Sequence, residues 1–265
     1  MTAIQSRLHE AQVAVSSGKA ATRYDQIADR AGELVRVKDA RALKLTLADQ
    51  NDRLGQRLQI MDGALGSVAD IAARARTALV QRLDGVLGSD VPLHELVDTM
   101  LAEAQSALNT RLDGQYLFAG SRSDVAPVKL PTPPPTTADP ALYYRGDAVT
   151  LTTRADAGLE LAYGVTADAA PFAELIAMLG QARAAHLADD GAGLATAMSG
   201  LETALDGVTA LRAGVGIAAE RLEAITESQR SAILYLDEIV AGIEDTDLAA
   251  MLTRIASDQA SLEAG

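Results

Sequence analysis

Residues 54–79 read LGQRLQIMDGALGSVADIAARARTAL, and within them Leu54, Leu58, Met61, Leu65, Val68, Ala72, Ala75 and Leu79 follow alternating steps of four and three. This is the seven-residue apolar repeat of a helix seam: the same face returns every second turn and needs a partner helix to cover it. Leu43 and Leu47 extend the seam backwards, with Asn51 as a polar interruption. No proline occurs from Tyr24 to Asp84, so the spacing predicts one continuous helix, roughly 90 Å long at about 1.5 Å per residue. Gly55, Gly63 and Gly66 each cost about 1 kcal/mol relative to Ala, and their lack of a side chain lets neighbouring helices approach closely.

A second seam lies near the other end. Val208, Leu211, Val215, Ala218, Leu222, Ile225, Gln229, Ala232, Leu236, Ile239 and Ile243 again step by three and four, interrupted once by the glutamine. Two seams of one period predict that the two ends of the chain pack against each other. Between them, Asp84-Gly85 and Gly88-Ser89-Asp90 mark a reversal, and Pro92 opens a further helix that reaches about Arg111. Leu93, Leu96, Val97, Met100, Leu101, Ala104 and Leu108 give that helix its apolar face.

The middle of the chain has a different composition. Seven of the eight prolines lie between Pro127 and Pro171, and six of the eight aromatic residues between Tyr116 and Phe172. There the period drops to two: Val149, Leu151 and Thr153 alternate with Thr150, Thr152 and Arg154, Leu159, Leu161 and Tyr163 form a second run, and Ala157-Gly158 supplies a hairpin turn. The tract from Pro131 to Thr136 is poor in backbone donors and reads as an extended, exposed connector. The expected fold is mainly α with a small β insert. It is an elongated antiparallel multi-helix bundle built from both chain ends, residues 1–125 and 171–265 forming its halves and residues 126–170 a small antiparallel β-domain.

Charge and composition exclude several functions. The 265 residues carry 23 Lys plus Arg against 36 Asp plus Glu, a net charge of −13. Phosphate binding needs a concentrated positive field, so neither nucleic acid nor an anionic membrane is an expected partner. Zero cysteines exclude disulfides, Cys-ligated zinc and thiolate catalysis. No apolar run approaches the roughly 18 residues of a membrane span. The opening MTAIQSRLHE lacks the pattern of a secretory signal, so export would take another route. Residues 201–265 hold four Arg against twelve Asp plus Glu, which reads as a solvated acidic face.

The chemistry-bearing motifs fail one by one. Gly191-Ala192-Gly193 opens a helix but lacks the third glycine and the preceding strand of a phosphate loop. His94-Glu95 has no second histidine one turn on, and His9, His94 and His186 read as scattered surface residues. Glu244, Asp245 and Asp247 lack the spacing of a calcium loop and read as a helix-starting acidic cluster. Arg145-Gly146-Asp147 matches a short integrin-binding tripeptide but sits where a turn is expected. No nucleophile, base and orienting group can be assembled from neighbouring positions. The expectation is a protein that is not an enzyme and has no catalytic, cofactor or metal site.

Taken in order, other short elements resemble a known family. Val15-Ser16-Ser17-Gly18-Lys19 precedes the first long helix, and Gly114-Gln115-Tyr116-Leu117-Phe118-Ala119-Gly120-Ser121 closes the N-terminal helical half. Tyr144-Arg145-Gly146-Asp147, Arg212-Ala213-Gly214-Val215-Gly216, Arg221-Leu222-Glu223 and Ile243-Glu244-Asp245-Thr246-Asp247-Leu248 follow. The set resembles bacterial flagellin and its relatives, and among them the hook-associated proteins of type 3, which form the hook-filament junction.

The resemblance implies a structural subunit of the flagellum, an adaptor joining hook to filament. It implies neighbouring copies of itself, a hook-side junction protein, flagellin and an export chaperone as partners, and an extracellular place reached through the flagellar type III apparatus. The implied contacts between subunits fall on Ser16, Ser17, Gly18, Lys19 and Arg23 and on Glu244, Asp245 and Asp247. Family chains extend further at both ends, so the resemblance also implies trimmed polymerising termini. Arg74 and Arg76 resemble an arginine-rich stretch that an innate immune receptor reads in some flagellins. With Ala73 and Ala78 beside them they read as solvated arginines, and receptor recognition is not expected. The alternatives are a filament flagellin, and a flagellin-like surface module that binds a host or carbohydrate ligand through the β-domain.

Overall fold

The computed structural model describes residues 2–19, 30–84, 92–245 and 248–263. In chain order the described elements are α1 (Thr2–Ser17), α2 (Ala31–Leu83), α3 (Leu93–Leu108), β1 (Arg111–Leu112), β2 (Gln115–Tyr116), β3 (Thr152–Asp156), β4 (Leu159–Ala162), α4 (Ala170–Leu187), α5 (Gly191–Glu244) and α6 (Leu248–Glu263). The fold is mainly α with a small antiparallel β part. The two seams lie on single continuous helices, α2 of 53 residues and α5 of 54. The reversal expected at 85–90 lies outside the described residues.

Two compact units share the chain. One contains residues 1–49 and 226–265, the other residues 50–225. Segment 126–170 therefore belongs to the same unit as the helices that flank it in sequence.

In the unit of residues 50–225 every seam position from Leu54 to Leu79 is buried, and so are Val208, Val215, Ala218 and Leu222 of α5. They share one core with Val97, Met100 and Leu101 of α3 and Phe172, Leu175 and Leu179 of α4. The helices run antiparallel: rising positions on α2 meet falling positions on α5, as in Asp62 with Arg212 and Arg76 with Glu202. A methyl group at Gly55 would sit 3.9 Å from Leu222 Cδ2, an ordinary contact, and one at Gly63 would meet nothing within 4 Å. The glycines of α2 therefore do not serve the close helix approach expected of them. That role falls to Gly200 and Gly207 of α5, where a Cβ would overlap Met178 and Pro171 of α4, while Gly180 of α4 makes room for the carbonyl oxygen of Pro135. The proline tract is correspondingly not only an exposed connector, because Pro135 is buried against α4.

β1 and β2 pair through Arg111 with Tyr116 and Leu112 with Gln115. The intervening Asp113 and Gly114 both have positive φ, the backbone a tight two-residue hairpin requires. β3 and β4 form the expected hairpin across Ala157-Gly158, with a register shift between Arg154 and Asp156. Ala155, the extra residue at that shift, and Leu161 are buried in the helical core, while Val149, part of the expected alternating run, precedes β3 and is 49% exposed.

The other unit contains α1 packed on α6, with Arg7 Nη2 3.9 Å from Asp258 Oδ1. The first part of α2 lies antiparallel to the last part of α5 here too: Lys38 pairs with Glu244 and Arg41 with Asp237. Leu47 and Ala48 are buried, but Leu43 is 51% exposed, so the α2 seam does not extend back to it.

Candidate functional site

The residues expected at subunit contacts are brought together inside the chain. Ser16 and Ser17 end α1, and their hydroxyls donate back to the Val13 carbonyl at 3.0 and 2.7 Å. Gly18 follows at φ +71°, a left-handed conformation that reverses the backbone. Lys19 then bridges antiparallel to Asp245 at the end of α5. Its Nζ donates to Glu244 Oε2 at 3.0 Å and to Asp245 Oδ1 at 3.1 Å, and Lys38 of α2 grips the other oxygen of Glu244. Nearby, Arg30 donates to the Gly242 carbonyl at 3.3 Å.

The electrostatics follow from these partners. Hydrogen bonds donated to Glu244 and then Asp245 raise the Lys19 ammonium above its usual range. Lys38, and after it Lys19, hold the Glu244 carboxyl below the usual carboxylate value against an opposing cost of burial. Glu244 ends α5, so the acidic cluster lies at a helix C-terminus as well as before α6; carboxylates there oppose the dipole, and the two lysines offset them. Ser16, Ser17 and Asp245 remain exposed. Arg23 and Asp247 lie outside the described residues.

A second constellation joins two of the sequence motifs. Asp147 closes Tyr144-Arg145-Gly146-Asp147, and its carboxylate accepts from the Ser121 amide at 2.9 Å, from the Ser121 hydroxyl and from the Val149 amide at 3.1 Å. The Asp147 amide donates to the Ala119 carbonyl at 3.1 Å, and the Tyr144 hydroxyl to the Asp147 carbonyl at 2.7 Å. Hydrogen bonds from Ser121 hold the Asp147 carboxyl below its usual range. Tyr143, beside them, donates its hydroxyl to the Ala167 carbonyl at 2.9 Å, and burial pushes that phenol well above the usual tyrosine range. The carboxylate of the Arg-Gly-Asp tripeptide is thus engaged within its own fold. No local period announces this clasp; the signal available in sequence was the pair of glycines, Gly120 and Gly146, where a Cβ would overlap Asp147 in the first case and the Tyr144 hydroxyl and Ala119 carbonyl in the second.

Elsewhere, Arg74 pairs with Glu103 and Arg76 with Glu202, so both arginines face carboxylates of the same chain. A groove of about 670 Å³ between α2 and α3 is lined by Ser67, Asp70, Ile71, Arg74, Glu103 and Ser106, among others. The histidines are less scattered than expected, since His94 and His186 stack on each other. Among the described residues no group of three or more His, Cys, Asp or Glu could hold a metal ion, and no helix is long and apolar enough to cross a membrane.

No protein-family model matches the sequence, and no curated protein matches it. Solved structures do. FlgL of Bacillus cereus is similar at 18% identity and a TM-score of 0.59, over 72% of this chain and 98% of that one. A protein of Vibrio parahaemolyticus described as a flagellar hook-associated protein is similar at 13% identity and a TM-score of 0.69, over 83% of this chain and all of that one. The likeness is one of architecture, and it establishes that this chain has the fold of the flagellar hook-associated proteins.

Proposed function

We infer that the chain is a structural subunit of a bacterial flagellum, serving as the adaptor between hook and filament. The observation that carries this reading is the agreement of two independent signals. The ordered motifs resemble hook-associated proteins of type 3, and the fold matches a flagellar hook-associated protein along that protein's whole length. The function is then mechanical: closely packed helices transmit axial load and torque because their interiors hold few voids to give. The partners are neighbouring copies, a hook-side junction protein and flagellin, with an export chaperone before assembly. The working location is outside the cell, reached through the flagellar type III apparatus. No catalytic role is part of this reading.

Within it, the end of α1 and the end of α5 form one contact surface toward a neighbouring subunit. The Lys19 and Lys38 pairs with Glu244 support this, because they hold the exposed Ser16, Ser17 and Asp245 in fixed places. Arg23 and Asp247 complete the proposed surface. Charge reversal at Lys19 or at Glu244 should release filaments from cells; unchanged attachment removes this surface from the proposal.

Deleting the gene for this chain from its own bacterium tests the function. An adaptor predicts intact hooks and flagellin shed into the medium. Filaments that stay attached would sink the adaptor reading. Loss of flagellin from both cells and medium would instead make the chain the filament subunit.

A further inference from the structure

Three helix ends of the unit of residues 50–225 meet at a pair of stacked imidazoles. His94 in the first turn of α3 and His186 in the last turn of α4 have ring centroids 5.6 Å apart and planes inclined by 15°. One turn along the same two helices, Arg183 Nε donates to Asp98 Oδ1 at 2.7 Å, so the rings continue an interface that begins as a salt bridge. From the last turn of α2, Arg82 Nε donates to His186 Nδ1 at 3.1 Å, and Arg82 Nη2 reaches Asp189 Oδ1 at 2.7 Å.

An N–H aimed at Nδ1 leaves His186 one tautomer, with the lone pair on Nδ1 and the proton on Nε2. A second proton must go to Nδ1, where it meets the N–H of Arg82, and a hydrogen bond becomes a repulsion between two cations. The charged neighbours do little to offset it. Asp189 is already held by Arg82, Asp98 by Arg183, and Asp190 accepts from the amides of Ala192 and Gly193 at the start of α5. Glu95 Oε1 lies 4.0 Å from His94 Nε2, on the other ring. His94 Nδ1 is buried without a hydrogen-bond partner, so a proton there would be left unsatisfied.

We propose that Arg82, His94 and His186 form an acid-sensitive latch that ties the ends of α2, α3 and α4 together at neutral pH and opens when His186 takes up a proton. Burial, then the charge of Arg82 and the neighbouring His94, hold the His186 pKa below its ordinary value of 6.5. The opened form therefore binds the extra proton. The latch is at full strength above about pH 6.5 and weakens as the pH falls through the lower native value.

The test uses the full chain, with nitrogen-resolved NMR of the imidazoles and amide hydrogen exchange compared at about pH 7.5 and about pH 5, on either side of ordinary histidine titration. His186 is expected as the Nε2–H tautomer, titrating below an ordinary histidine. After correction for the intrinsic pH dependence of exchange, protection around Ala185 and Val97 should fall in acid. The fall approaches tenfold for about each unit separating the native and open values, while Val68 and Val208 stay protected. His186→Gln retains an acceptor for Arg82 and takes no proton, so its protection should not change over this range. An Nδ1–H tautomer, ordinary or raised titration, equal protection of the native chain at both pH values, or acid loss that persists in His186→Gln would each overturn the latch. Should the variant not fold, tautomer and titration of the native chain decide the matter.

Discussion

The side-chain amide of Asn51 donates a 2.9 Å hydrogen bond to the carbonyl oxygen of Ala155, and both residues are buried. The one polar position interrupting the apolar seam of α2 is thus the point where the β3–β4 hairpin is fastened to the helix. A seam of aliphatic residues alone tolerates sliding, because one apolar contact replaces another at little cost; a buried amide hydrogen-bonded to a particular carbonyl does not.

Removing that donor should be costly out of proportion to its size. Asn51→Ala is expected to lower unfolding stability by about 1–3 kcal/mol, the range for disrupting a buried hydrogen bond, measured from denaturant midpoints. Exchange protection should fall first in β3. A variant with unchanged midpoint and unchanged protection would show that the bond contributes nothing.

Two left-handed glycines separate conformational strain from collision. Gly114 has φ +78° and nothing within 4 Å of an added Cβ, whereas Gly120 has φ +68° and a Cβ there would overlap Asp147. Gly114→Ala should cost about 1–2 kcal/mol, the price of the left-handed backbone alone. Gly120→Ala adds the opening of the Ser121–Asp147 clasp and should cost about 1–3 kcal/mol more. Equal thermal shifts for the two variants would refute the clasp.

The Lys19 and Glu244 cluster makes a pH prediction with two arms. Glu244 is depressed below its ordinary 4.5, so its contribution is present above that value and lost as the pH falls through the native one. Lys19 is raised above 10.5, so its contribution is present below that value and lost as the pH rises through the native one. The side chain of Lys19 is 44% exposed, which keeps the pair to about 1 kcal/mol or less after solvent screening. Glu244→Gln should flatten the acid arm of the stability profile for α1 and α6 and move the alkaline limit down, because Glu244 is the larger cause of the raised Lys19 value. Added salt should shrink the effect. An acid arm identical to that of the native chain would contradict it.

Helical glycines should divide by what lies opposite them. Gly63 faces open space in mid-helix, so Gly63→Ala should stabilise by about 0.5–1 kcal/mol through propensity alone. Gly180 faces the Pro135 carbonyl, and Gly180→Ala should destabilise by about 1–3 kcal/mol because backbone on both sides must shift. Calorimetric melting of the two variants reads the signs directly.

Much of the architecture was legible because apolar period is a local property. Leu54 through Leu79 and Val208 through Ile243 each declare a helix and a buried face without reference to any distant residue. Ala157-Gly158 likewise announces a hairpin by its turn chemistry. The failures are informative. Leu43 keeps the period yet stands exposed, because period states which face can be buried and not whether anything covers it. Gly63 satisfies the composition of a close helix crossing but meets no neighbour. The breaks at Ala188–Asp190 and around Gly18 depend on single left-handed residues, Asp189 and Gly18, which carry no periodic signal.

By itself the amino-acid sequence determined the helical class, the two long seams, the β hairpin and the absence of cysteine chemistry, since each rests on residue identity and spacing within a few turns. Only the tertiary structure decided which polar groups meet: Asn51 with Ala155, Ser121 with Asp147, Lys19 with Glu244, and His94 with His186. These partners lie from 26 to 225 positions apart in the chain. Hydrogen bonds and ion pairs are short-ranged and directional, so their pairing is set only when the apolar faces have closed and brought particular side chains within about 3 Å of each other.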